Sequence, residues 1–142
     1  EDIGLANPNA LLLATNGFEA IRMVGWPEAR IILSEVTIYL ATSPKSNSAY
    51  MAIGDALALV RETGNLPIPL HLRNAPTKLM KELDYGKGYR YAHDEADAFA
   101  AGECYLPDGM AAPGFYRPVQ RGLEIKIAEK LRALRERNAQ AR

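Results

Sequence analysis

The chain has 142 residues, 48% of them hydrophobic, and 17 basic side chains balance 17 acidic ones to a formal net charge of zero. That is length for one domain with a single sizeable core, and a composition that excludes intrinsic disorder. A neutral chain is not drawn as a whole to nucleic acid or to an anionic membrane. No apolar run nears the roughly eighteen residues a membrane span requires, and no basic head, apolar run and cleavage site mark a secretory signal. The single cysteine, Cys104, cannot form an internal disulfide, which fits a reducing compartment. A soluble, intracellular domain is expected.

Residues 1–7 form an opening segment. Asn7-Pro8 places a favoured cap beside a proline and predicts a helix from about Pro8 to Met23. Leu11, Leu12, Thr15, Phe18, Ala20 and Ile21 are its candidates for burial. Gly17 costs that helix about 1 kcal/mol against alanine, which a close helix crossing would explain. Gly25 ends it in the C′ role.

A second helix is predicted from Pro27 to about Thr42, with Glu28 in the first turn, where the dipole favours an acid. Ala29, Ile32, Leu33, Val36, Tyr39 and Leu40 recur at three- and four-residue steps. Ile31 and Ile38 fall off that stripe, so the helix is apolar over much of its girth. It is either central or carries a second interface. Ser43-Pro44 breaks it. Ser46-Asn47-Ser48 then caps a third helix, about Asn47 to Glu62, with Ala49, Met51, Ala52, Ile53, Ala56, Leu57 and Val60 as its stripe. Leu66-Pro67-Ile68-Pro69-Leu70 is an extended apolar strap, since two prolines exclude a helix and disfavour a central strand.

His71 to Asp94 is the densest run of chemically specific residues. Asn74-Ala75-Pro76-Thr77 reads as a helix start with Asn74 as N-cap, followed by an apolar stripe of Leu79, Met80 and Leu83. Tyr85-Gly86-Lys87-Gly88-Tyr89 must turn, with glycines suited to positive φ. Arg73, Lys78, Lys81, Lys87 and Arg90 supply five cations, and Tyr85, Tyr89 and Tyr91 supply aromatic rings. Three readings stay open. The segment is an ordered loop with tyrosines on the body and cations in water, a nucleic-acid surface, or a protein interface rich in Tyr and Arg. It is not a P-loop, which needs longer glycine spacing, a Lys followed by Ser or Thr, and a preceding strand.

Residues 95–117 read as irregular, with a turn at Pro107-Asp108-Gly109. Loops this long are uncommon unless they bind something or wrap a neighbour. A last helix is predicted from Arg121 to about Asn138, with Leu123, Ile127, Leu131 and Leu134 as a narrow stripe. From Arg117 onward eight cations outweigh three acids, a net of +5, leaving −5 on the first 116 residues. Glu124, Glu129 and Glu136 are expected to pair with Lys and Arg along this helix. A solvated surface helix is the simpler expectation; a basic tail toward DNA or an acidic sister subunit is the other.

No catalytic constellation stands out. His71 and His93 lack metal-ligand spacing, nothing near Cys104 would activate its thiol, and no spacing singles out the carboxylate pair Glu95 and Asp97.

Four long motifs in order, PEARIILSEVTIYLATSPKSNSAY, HLRNAPTKLMKELDYGKGYRYAHD, YLPDGM and FYRPVQRGLEIKI, resemble the C-terminal domain of the RarA/MgsA family of AAA+ ATPases. These are the replication-associated recombination proteins, and they include the Werner helicase-interacting protein. The resemblance covers essentially the whole chain, with EDIGLANP at the junction to the family's lid region. It implies an all-α bundle with long ordered loops, related to the clamp-loader C-terminal collar, over residues 1–142 as one oligomerisation domain. It implies a homotetramer. It implies a whole protein that uses ATP and Mg at stalled forks in DNA replication, recombination and repair, in the cytoplasm at the nucleoid, with DNA and single-strand binding protein as associates. The family's ATPase motifs lie upstream. This chain has no Walker pattern, so the resemblance carries over no catalytic, cofactor or metal residue, and no enzymatic activity is expected of it alone. His71, Arg73, Asn74, Lys78, Lys81, Tyr85, Gly86, Lys87, Gly88, Tyr89 and Arg90 form the family signature segment, with their role left open.

Overall fold

The structure, a computed structural model, describes residues 1–141. All regular structure among them is helical, as expected. The helices are α1 (Asn9–Val24), α2 (Ala29–Thr42), α3 (Ser48–Thr63), α4 (Lys78–Glu82) and α5 (Glu124–Gln140), with 3-10 turns at Gly4–Ala6, Leu70–Leu72, Ala92–Asp94 and Ala96–Ala98. The described residues form two compact units, one of Glu1–Ala58 with Phe115–Lys130, the other of Leu59–Gly114 with the chain from Leu131 onward.

In the first unit α1 packs on α2 through its smallest residues. A Cβ added at Gly17 would lie 2.6 Å from Val36 Cγ2, so the predicted close crossing is present. Gly25 closes α1 at φ 73°, its N–H donating to Ile21 O at 3.0 Å. Ala10 and Gly17 are the buried residues of α1 and Ala29 that of α2. The expected burial of Leu11, Leu12 and Phe18 is not observed; they are 72%, 60% and 63% exposed. The face that meets α2 is the small one, because only small side chains let the two backbones approach so closely.

Asn7 does not cap α1. Its side-chain amide donates to Tyr39 Oη at 3.0 Å and Ser43 Oγ at 3.1 Å, tying the start of α1 to the end of α2. At the start of α3 the Ser46 hydroxyl accepts the N–H of Ser48 at 3.2 Å, as the cap reading required. The opening segment is pinned twice. Ser46 N–H donates to Asp2 O at 2.7 Å and Leu123 N–H to Ala6 O at 2.9 Å. Gly122 allows the second contact: its φ is +55°, and any Cβ there would overlap Ala6 O.

In the second unit the strap at 66–69 lies outside any helix or strand and leads into the Leu70–Leu72 turn. Helix α4 starts later than Asn74 predicts. Thr77 is the cap, in extended conformation, and its hydroxyl accepts the N–H of Met80 at 3.2 Å. A cap must stand two or three residues before the orphan N–H it satisfies; Thr77 does and Asn74 does not. The predicted turn at Pro107-Asp108-Gly109 forms, with Met110 N–H on Pro107 O at 3.0 Å.

Candidate functional site

Among the described residues the buried hydrophobic side chains are four alanines, Ala6, Ala10, Ala29 and Ala100. Twenty-four large hydrophobic side chains among the described residues are instead exposed. On α1 these include Leu11, Phe18 and Met23, on α2 Ile31 and Ile38, and on α3 Met51, Ile53, Leu57 and Val60. The stripe expected to be the core side of α3 is therefore largely in solvent. The chain exposes 10599 Å². A folded monomer of 15.6 kDa would expose about 7,200 Å², and two independent units of half that mass about 8,700 Å². Even against the larger figure about 1,900 Å² is in excess, more than twice the roughly 800 Å² each partner contributes to a stable protein interface.

The signature segment lies in the second unit. Arg73 turns inward: Nε donates to Ile68 O at 2.7 Å, Nη1 to Tyr85 Oη at 3.2 Å, and the guanidinium stacks 5.1 Å from the Tyr85 ring centre. Gly86, at φ 73°, donates its N–H to Leu70 O at 2.8 Å, and Gly88 follows at φ 79°. Arg90 also turns inward, with Nε on Glu95 Oε1 at 2.8 Å and Nη1 on Ala101 O at 2.8 Å. The hydrogen bond between them raises the Arg90 pKa and holds the Glu95 carboxyl below its usual value. His71 places Nε2 3.1 Å from Glu103 Oε1, both side chains being mostly covered.

The remaining members face solvent. Asn74, Lys78, Lys81, Lys87, Tyr89 and Tyr91 are exposed, with Lys87 Nζ 2.9 Å from Asp84 and Lys78 Nζ 3.8 Å from Glu82. The picture of tyrosines packed inside with cations in water is thus inverted at four positions. Two arginines build the loop, and Tyr89 and Tyr91 are more than half exposed.

A buried polar cluster was missed from sequence. Glu124, expected to pair with cations along the last helix, is 0% exposed. Its Oε1 accepts from the Ser48 hydroxyl and, at 2.7 Å, from Tyr116 Oη. Burial pushes the carboxyl up, but the hydroxyls of Ser46, Ser48 and Tyr116 and the Val119 N–H outweigh it and hold it below its usual value. Burial and the neighbouring carboxylate push Tyr116 up to about 12. The available signal was two helix starts that each carry a polar residue, Ser48 and Glu124; helical spacing alone gave no hint that they meet. Among the described residues no group of three or more His, Cys, Asp or Glu could hold a metal ion, and no helix is long and apolar enough to cross a membrane.

The protein from Coxiella burnetii named replication-associated recombination protein A is 51% identical over 99% of this chain and 32% of its own length. The protein of that name from Escherichia coli K12 is 49% identical over 97% of the chain and 31% of its own length. ATPase WRNIP1 of Dictyostelium discoideum is 38% identical over 82% of the chain and 13% of its own length. The chain spans about a third of the length of the first two relatives. The family described as MgsA AAA+ ATPase C terminal matches residues 1–135, and this chain belongs to that family.

Proposed function

We propose that this chain is the C-terminal homo-oligomerisation domain of a AAA+ ATPase acting in DNA replication, recombination and repair at stalled forks. Four copies assemble through it, in the manner of a clamp-loader collar, and hold ATPase modules encoded upstream. ATP and Mg belong to those modules. DNA and single-strand binding protein meet the assembly through the whole protein, in the cytoplasm at the nucleoid. The observation that carries the reading is the exposed apolar surface, twenty-four large side chains among the described residues outside a core of alanines. The names of the relatives support the setting in replication and recombination. Sedimentation of the purified chain at micromolar concentration tests it. An assembly several times the 15.6 kDa chain mass is the expected result, and a strict monomer overturns it.

A second reading makes the 71–94 segment a DNA- or replisome-protein-binding surface. The exposed Lys78, Lys81, Tyr89 and Tyr91 favour it, since lysines neutralise phosphates and tyrosines stack bases. It requires DNA affinity that falls steeply with salt and that drops when these four residues become alanine. Absence of binding to single- and double-stranded DNA at low salt dismisses the nucleic-acid form.

A further inference from the structure

Helix α2 carries an outward stripe that its own chain leaves uncovered. Arg30, Ile31, Ser34, Glu35, Ile38 and Tyr39 line a shallow, mostly apolar groove of about 770 Å³. Ile31 and Ile38 are 64% and 61% exposed, two helical turns apart. Written as a heptad, Ile31 and Ile38 occupy successive a positions, Ser34 and Ala41 successive d positions, Arg30 a g position and Glu35 the following e. In two-stranded parallel coils a β-branched residue at a is combined with leucine at d; here a carries isoleucine and d the small residues Ser34 and Ala41. Ser34 and Ala41 are both exposed. In a parallel pair the g residue of one helix faces the e residue five positions on in the other. Arg30 and Glu35 stand at that spacing with opposite charges, and neither makes an ion pair among the described residues.

We propose that α2 docks in parallel on the α2 of a second copy of this chain, about a two-fold axis running along the helices. Ile31 and Ile38 each pack on their own counterparts, Ser34 faces Ser34 of the other copy, and Arg30 meets its Glu35 on both edges. The occupant is a second copy because the charge pattern is self-complementary. A two-fold pair satisfies both Arg30–Glu35 contacts at once, as an isologous interface demands. This inference rests on the reading of the chain as a self-associating domain and names the face and the geometry.

The test uses three exposed positions, where substitution leaves the fold intact; circular dichroism checks that it does. Arg30→Glu alone, or Glu35→Arg alone, sets like charges together on both edges and is expected to raise the subunit dissociation constant at least about tenfold. An equimolar mixture of the two variants restores both contacts and is expected to associate like the wild type. In a Cys104→Ser background, which removes the exposed native thiol, Ser34→Cys is expected to cross-link two copies under mild oxidation. A wild-type chain that associates while the single swaps associate equally well, the mixture stays apart, or Ser34→Cys fails to cross-link overturns the α2 pairing and leaves self-association standing. A wild-type chain that is monomeric at micromolar concentration overturns both.

Discussion

The hydroxyl of Ser48 donates to the buried carboxylate of Glu124 across 76 residues of chain, joining the first residue of α3 to the first residue of α5. Tyr116 donates to the same oxygen at 2.7 Å. The carboxylate also stands in the first turn of α5, where the helix dipole favours negative charge. Both bonds reach Oε1, while the buried Oε2 has no hydrogen-bond partner among the described residues; a buried charge depends on such bonds to be tolerated.

Glu124→Gln keeps the shape and removes the charge that strengthens these bonds. It is expected to cost about 2 kcal/mol, the scale of a hydrogen bond to a charged group. A urea unfolding curve checks this by a lower midpoint at unchanged slope. A midpoint equal to wild type would mean the charge contributes nothing.

The cluster also makes stability depend on pH at both ends. Glu124 has a folded pKa below the ordinary 4.5, so the folded chain binds fewer protons than the unfolded one. Its contribution is complete above about pH 4.5 and is lost as pH falls through the lower folded value. Tyr116 is shifted the other way, to about 12 from 10.0. Its contribution is complete below pH 10 and is lost as pH rises toward 12. Tyrosinate absorbance should show one of the seven tyrosines titrating last, and Tyr116→Phe should delete that step.

Gly17→Ala is expected to destabilise by about 1 to 3 kcal/mol, because the new methyl overlaps Val36. At an uncrowded helix position the same change would stabilise by about 1 kcal/mol. Thermal melts of Gly17→Ala in wild-type and Val36→Ala backgrounds separate the two effects. The penalty should vanish or change sign when Val36 is trimmed.

Within the signature segment the arginines and the exposed residues should part company. Arg73→Ala removes two hydrogen bonds and a ring contact and is expected to cost about 1 to 2 kcal/mol. Lys81→Ala and Tyr89→Ala, both at exposed positions, should stay within about 0.5 kcal/mol of wild type. Differential scanning calorimetry of the three variants reads this directly. Equal losses would mean that Tyr89 is held by the fold.

The local features were legible in the residues themselves. Helical spacing marked the long helices, prolines and glycines marked their ends, Gly17 announced a close crossing, and Ile31 and Ile38 announced an α2 too apolar for one partner. All of these depend on residues a few positions apart, and periodicity reports that range. Tertiary structure alone decided which long-range partner each polar group took. Asn7 left its cap role for Tyr39 and Ser43, Arg73 and Arg90 turned inward, and Glu124 sank beneath Ser48 and Tyr116. It also decided which apolar stripes stayed bare. A hydrophobic pattern states that a face avoids water but not whether this chain has anything to cover it; on α1 the small residues took the contact with α2, and on both α1 and α3 large side chains were left outside.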